Sequence, residues 1–322
     1  MPKSTKSGRY VLAVDLGGTK CSAAVVDRSG RIVRSLTRPV DVSSPSAPIE
    51  QIRQLAGELA APRKAQDVFA AGAIAVPGLA RRNGTVWAPN LPGWDRMPLA
   101  SRLRRALSFP VIVESDRNCA VLGECWRGAA RGKSDVIVVM IGTGIGAGIL
   151  SGGRVLRGAH ELSGCAGWIT ITRDEVPSHA SIGELESLTA GPGIAIAAQK
   201  RLRNGESSSL SHYEISKVTA HEVAAAAREG DPLAIDVFKT AGRLLGYGVA
   251  NMISLLDPQM IVLGGGIGQI ADLYIESLRD AMLERAQPLA AREVKVVASK
   301  LGEKVNLLGC GRLAWEAVGA RT

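Results

Sequence analysis

A glycine-rich turn between two apolar runs occurs twice in this chain, as VLAVDLGGTKCSAAVVD over residues 11–27 and as VIVVMIGTGIGAGIL over residues 136–150. In each copy β-branched residues lead into glycines with a threonine and out into a second apolar run, the pattern of strand, tight turn and strand. Glycine lets the backbone bend sharply and brings main-chain N–H groups together with no Cβ in the way, so such a turn can hold phosphate oxygens. Two of them predict a nucleotide held between two halves.

The remaining bounds are consistent with that expectation. A chain of 322 residues suffices for two ordinary domains, and 46% hydrophobic against 21% charged residues fits a folded protein. Aromatic residues make up only 4%, so the core is mainly aliphatic. No apolar run approaches the roughly 18 residues of a membrane span, so no membrane partner is expected. The basic start MPKSTKSGRY passes straight into a strand without a signal-peptide apolar region, which predicts a cytoplasmic protein. Five scattered cysteines, Cys21, Cys119, Cys125, Cys165 and Cys310, form no CxxC pair and argue against a disulfide framework or a cysteine-rich zinc site. The net charge of +9 is dispersed apart from short clusters such as Arg102, Arg104 and Arg105. A solvated basic surface accounts for it, and no nucleic-acid partner is expected.

Along the chain, periodicity predicts a strand at Arg31–Arg38, an amphipathic helix near Ile49–Ala61, a strand at Val68–Val76 and a helix at Leu99–Leu107. A short strand, Val111–Glu114, precedes a helix at Arg117–Ala130, and the second glycine-rich hairpin follows. Later segments are mostly helical, interrupted by the buried strand DPQMIVLGGGIG. Its end at Gly264, Gly265 and Gly266 is a strand–glycine–helix junction where a flat ligand can approach the backbone and a helix N-terminus favours negative charge. Strands at the start and again after a helix predict two sheet-centred halves with helices packed on them.

With these motifs in this order, the chain resembles the ROK family of sugar kinases and sugar-responsive regulators, within the actin-like ATPase and hexokinase superfamily. The resemblance runs nearly full length: VDLGGTK ending at Lys20, APNLPGW from Ala88, ESDRNCAVLGE from Glu114, GTGIGAG from Gly142, GELESLTAGP from Gly183 and LGGGI from Leu263. It implies an α/β fold of two ribonuclease-H-like lobes with ATP and sugar in the cleft between them. Residues 1–116 with 305–322 would form the smaller lobe and 117–304 the larger.

Phosphoryl transfer needs phosphates held in line with the acceptor, Mg²⁺ to spread charge and a base for the hydroxyl proton. In this reading Gly17, Gly18, Thr19 and Lys20 approach the phosphates from one lobe, and Gly142, Thr143, Gly144 and Gly146 from the other, with Gly264–Gly266 at the nucleotide. Asp15, beside the first turn, suits Mg²⁺ binding through water, or else caps the turn. Asp116 ends a strand and opens a helix, which by itself reads more readily as a helix N-cap than as a base. The resemblance assigns it the role of catalytic base.

On the acceptor side the chain departs from the family pattern. Ser115 stands where a sugar-binding asparagine is usual, Cys165 where a glutamate is expected and Trp168 where a histidine is expected. That histidine usually binds zinc with three cysteines, whose positions here hold Pro177, His179 and Glu184; Trp168 and Pro177 offer no lone pair, so no zinc is expected. Gly78, Asn90 and Glu186 match sugar-facing positions, although Glu186 also reads as a first-turn helix acid. Trp168 either stacks on a ring or fills core space, and Cys165 is either a thiol with chemistry or a small buried filler. His160 and His179 read as surface histidines. The leading expectation is an ATP- and Mg²⁺-dependent kinase for a sugar or sugar-like polyol. Its alternatives are an amino-sugar or carbasugar cyclitol kinase, or a catalytically silent sensor. Only Met1–Tyr10 precede the first strand, so a DNA-binding repressor is not expected, and the resemblance implies a homodimer.

Overall fold

The computed structural model describes residues 10–172 and 182–320. The chain divides into two compact units: residues up to Gly132 with Val155–Ser163 and Glu303 onward, and Lys133–Arg154 with Gly164–Gly302. The expected break after Asp116 is therefore displaced, because the helix Asp116–Arg127 belongs to the first unit. The cause is a close helix crossing. A Cβ on Gly123 would lie 2.2 Å from the Val305 carbonyl oxygen, and one on Gly309 would lie 1.8 Å from that of Cys119. Only glycine lets these two backbones meet, and the contact joins Asp116–Arg127 to the final helix Val305–Gly319.

In the first unit, strands β1 (Tyr10–Leu16), β2 (Lys20–Val26), β3 (Ile32–Pro39), β4 (Phe69–Val76) and β7 (Val111–Ser115) form one sheet in the order β3-β2-β1-β4-β7. A small hairpin of β5 (Leu79–Ala80) and β6 (Val86–Trp87) follows β4. The first three strands run antiparallel, whereas β1, β4 and β7 are parallel. Strand β1 is buried on both faces. Leu12, Val14 and Leu16 pack in a cluster with Ile52, Leu55 and Leu103 from the helices Ala47–Ala60 and Leu99–Leu107, while Val11 and Ala13 cluster with Cys119, Cys310 and Ala314.

The second unit repeats the plan. Strands β8 (Val136–Ile141), β9 (Ile145–Ser151), β10 (Arg154–Val155), β11 (Met260–Gly264) and β12 (Lys295–Ala298) assemble as β10-β9-β8-β11-β12, with β8–β9 antiparallel and β8, β11 and β12 parallel. An antiparallel hairpin continued by parallel strands is the ribonuclease-H-like arrangement, and each glycine-rich turn joins the hairpin of its own unit. The long helix Pro232–Leu256 starts at Asp231, whose carboxylate accepts the Ala234 N–H at 2.9 Å, and supplies Phe238, Leu245 and Val249 to the core. Among the described residues no helix is long and apolar enough to cross a membrane.

The glycine crossing makes a direct test. Gly309→Ala is expected to cost about 1–3 kcal/mol in chemical denaturation, through forced overpacking. Gly57→Ala, in a helix where a Cβ would meet nothing within 4 Å, should instead stabilise by about 0.5–1 kcal/mol.

Candidate functional site

At the end of β1, Asp15 pairs with Ser22 of β2 and Ala75 of β4, and the turn that follows is closed by the Gly17 N–H donating to the Lys20 carbonyl at 2.9 Å. A Cβ on Gly18 would lie 3.4 Å from the Asn90 Cβ, so Asn90 borders this turn. Lys20 pairs with Glu303, and Thr19 is exposed. The Asp15 carboxylate accepts from Asn306 Nδ2 at 3.1 Å, yet burial dominates and pushes its pKa up to about 6, with the negative charges of Asp116 and Glu303 adding to the effect. Asn306 Oδ1 is buried and has no hydrogen-bond partner among the described residues. A carboxylate and an unsatisfied amide oxygen are oxygen donors of the kind Mg²⁺ takes directly or through water, so the residues present fit that ion.

Asp116 opens its helix immediately after Ser115, the last residue of β7. Its Oδ1 accepts the Arg117 N–H at 2.7 Å and lies 3.4 Å from the Ser115 hydroxyl, while desolvation raises its pKa above the usual carboxylate range. Ser115 does not replace the expected asparagine as a free polar group. It is buried, and its hydroxyl donates to the Gly78 carbonyl at 2.8 Å. Gly78 is pinned in turn, since a Cβ there would lie 2.2 Å from the Trp87 carbonyl oxygen.

Beneath Asp116 lies buried Glu114. Its Oε1 accepts from the Ser115 N–H at 3.0 Å and Asn118 Nδ2 at 2.9 Å; its Oε2 takes a fork from Arg157, Nε at 3.0 Å and Nη2 at 2.6 Å. Arg117 donates to the carbonyls of Ser163 and Glu161 at 3.2 and 3.1 Å. Both arginines thus fasten the segment Val155–Ser163 to the start of the Asp116 helix.

In the second unit the Gly142 N–H donates to the Gly144 carbonyl at 2.9 Å, which closes the turn between β8 and β9. Gly146 sits beyond the turn, opposite Met140 in the β8–β9 ladder. Glu186 supports the turn from the helix Glu184–Thr189: its Oε2 accepts the Ile145 N–H at 2.7 Å, and a Cβ on Gly144 would lie 3.0 Å from that oxygen. A cavity of about 610 Å³ opens beside the turn, lined by Gly142, Thr143, Pro192, Gln199, His221 and Gly266 among others. Its size suits a nucleotide-scale ligand. At Gly142 and Gly266 an added Cβ would meet no atom within 4 Å, so these backbones border open space. Gly264 and Gly265 do different work: a Cβ would meet Met140 Sδ at 2.7 Å and the Ile141 carbonyl oxygen at 2.4 Å, and Gly265 has φ +79°. They pack β11 against β8 and leave Gly266 as the member of the triplet that faces the cavity.

The other two acceptor-side substitutions, Cys165 and Trp168, lie in this unit. Trp168 ends a short 3₁₀ turn, Ala166–Trp168, and is 56% exposed, which excludes it as a core filler. Cys165 is half-buried, so it is not a fully enclosed filler either. Glu184, at a position the resemblance gives to a zinc ligand, is buried and accepts the N–H groups of Ile171 and Thr172 at 3.2 and 2.6 Å and the Thr172 hydroxyl at 2.6 Å. Pro177 and His179 lie outside the described residues, and His160 is exposed. Among the described residues no three His, Cys, Asp or Glu side chains form a metal-binding group.

Sequence reasoning missed Asn306, Arg117 and Arg157. The first lies 291 positions from Asp15 and the last 43 from Glu114, so no local spacing signals them. The raised pKa of Asp15 carries a testable sign. A folded-state value near 6, above that of an unfolded aspartate, means that its contribution to stability is fully present below about pH 4 and is lost as pH rises through 6. Asp15→Asn should therefore raise the melting temperature in Mg²⁺-free buffer at pH 8, by relief of about 2–3 kcal/mol, and change it far less at pH 4. Equal shifts at the two pH values would contradict the assignment.

Comparison with known proteins identifies the family and the fold. The ROK family matches residues 11–317. A glucokinase of Streptomyces coelicolor is 30% identical over 313 residues, covering 95% of this chain and 97% of that protein. A xylose repressor of Caldicellulosiruptor bescii is 31% identical over 254 residues, 78% of this chain and 63% of the repressor. The crystal structure of a ROK family glucokinase from Streptomyces griseus with glucose and AMPPNP superposes with a TM-score of 0.80 at 29% identity, covering 95% of this chain and 99% of the other. The two units are those of the actin-like ATPase fold, and the chain belongs to the ROK family.

Proposed function

We propose that the protein is an ATP- and Mg²⁺-dependent kinase that transfers the γ-phosphoryl group to a hydroxyl of a sugar or sugar-like polyol, with Asp116 as general base. The observation that carries this is the Asp116 carboxylate: one oxygen is held by the Arg117 N–H and its affinity for a proton is raised by desolvation. A base of raised pKa is better matched to a hydroxyl proton near neutral pH. Oδ2 takes that proton as the acceptor oxygen bonds to the γ-phosphorus and the bond to the ADP oxygen breaks. In this reading Gly17, Gly18, Thr19 and Lys20 contact the phosphates, Gly142, Thr143 and Gly144 do the same, and Gly266 borders the nucleotide cavity. Bound Mg²⁺ spreads the phosphate charge; Asp15 and Asn306 would hold it.

Gly78, Asn90 and Glu186 orient the acceptor in this reading, and the exposed indole of Trp168 stacks on the apolar face of its ring. Glucose is the first acceptor to test because similar proteins are glucokinases. Cys165 and Trp168 cannot supply the carboxylate and imidazole expected there, which favours a modified acceptor such as an amino sugar or a carbasugar cyclitol. The same loss favours, as a second reading, a ligand sensor without turnover, and a similar protein is a repressor.

A coupled ATPase screen over hexoses, amino sugars and cyclitols tests the reading. Asp116→Asn should lower the rate with the best acceptor by about 10²–10⁴-fold while AMPPNP binding persists; undiminished activity would exclude Asp116 as base. No turnover with any acceptor, together with a ligand-induced rise in melting temperature, would establish the sensor. Trp168→His should redistribute activity among acceptors. Metal analysis of the purified protein should find no stoichiometric zinc.

A further inference from the structure

Strand β7 lies at the edge of the first sheet, paired among the described residues with β4 alone, and a cavity of about 230 Å³ opens beside it. Four arginines line this cavity, Arg81, Arg82, Arg104 and Arg157, together with the carboxylate of Glu114. Two of the four charges are met locally. Arg157 is neutralised by its fork to Glu114, and Arg82 Nε lies 3.4 Å from Glu161 Oε1. Among the described residues no carboxylate pairs with Arg81 or Arg104, so the site carries two uncompensated positive charges.

The backbone presents these charges from fixed positions. Arg81 and Arg82 stand at the turn between β5 and β6, where the Arg81 N–H donates to the Thr85 carbonyl at 2.9 Å and the Gly84 N–H to the Arg81 carbonyl at 2.8 Å. Gly84 has φ +82°, and the Asn83 side chain accepts the Thr85 N–H at 3.0 Å, so the turn is locked by its own hydrogen bonds. Arg104 comes from the helix Leu99–Leu107, and its Nε lies 3.4 Å from the Val111 carbonyl on β7.

We propose that this cavity binds a dianionic phosphoryl group, either as a phosphate monoester of a small polyol or as free phosphate. Planar guanidinium forks match phosphate oxygens two at a time, and two unpaired guanidinium charges balance a dianion. The volume accommodates a phosphoryl group with part of a sugar and is too small for a nucleoside triphosphate. Arg157 also holds Glu114, which accepts the N–H of Ser115 next to Asp116, so an occupant that draws on Arg157 is linked to the position of residue 116.

Isothermal titration calorimetry on the full chain tests the site, with AMPPNP and Mg²⁺ at saturation so that the glycine turns are filled. Inorganic phosphate and glucose 6-phosphate are the probes. Saturable binding is expected, weakened tenfold or more in Arg81→Ala/Arg104→Ala, a variant of exposed residues whose unchanged melting temperature shows it folded. Tighter binding of glucose 6-phosphate assigns the site to a sugar phosphate, and equal binding assigns it to free phosphate. No saturable binding of either probe, or equal affinity in the double variant, would overturn the proposal; so would duplex DNA binding that is lost with the same two arginines. The readout involves no turnover, so its failure leaves the kinase reading untouched.

Discussion

The register of three parallel strands sets everything in the first unit that chemistry could use. Asp15 on β1 is level with Ala75 on β4, and Ala75 is level with Glu114 on β7. A carboxylate at the end of β1 and another one residue past the end of β7 are thereby brought to the same edge of the sheet without any contact between their own strands. Parallel strands end in the same direction, so their C-terminal edge is where side chains from distant parts of the sequence converge. A slip of one residue in β4–β7 would turn Glu114 and Ser115 each to the face opposite the one it now occupies and uncouple Ser115 from the Gly78 carbonyl.

That edge gathers more negative charge than an interior tolerates, and the surrounding residues divide the burden unequally. Glu114 is fully served by an arginine fork, an amide and a backbone N–H. Asp15 and Asp116 receive less, and burial leaves both with raised proton affinity. The contrast separates an acid whose hydrogen-bond partners lie within the fold from two that have fewer. In the second unit Glu184 and Glu186 show a related division: the first ties down residues 171 and 172, and the second braces the turn at Gly144.

Much of this was legible in the sequence because it is local. The two glycine turns, the strands around them, the helix beginning near Asp116 and the strand ending in Gly264–Gly266 are all read from short-range pattern, and each is present. What was not legible is long-range. The helix Asp116–Arg127 joined the first unit through backbone approach at Gly123 and Gly309, which no hydrophobic periodicity encodes. Ser115 read as a truncated ligand and proved to be a hydrogen-bond anchor for Gly78. Trp168 read equally as a ring-stacking residue or as a core filler, and only its exposure removes the second.

The first unit is assembled from pieces at both ends of the chain, because its sheet is covered on one face by the helix Val305–Gly319. The second unit lies almost wholly between them in sequence. On the ribosome, therefore, residues 133–302 emerge while the face of the first sheet that bears Val11, Ala13 and Ala73 still lacks the helix Val305–Gly319, one of the two that pack on it. The part of the chain synthesised first thus waits for its last helix before that aliphatic face is fully covered.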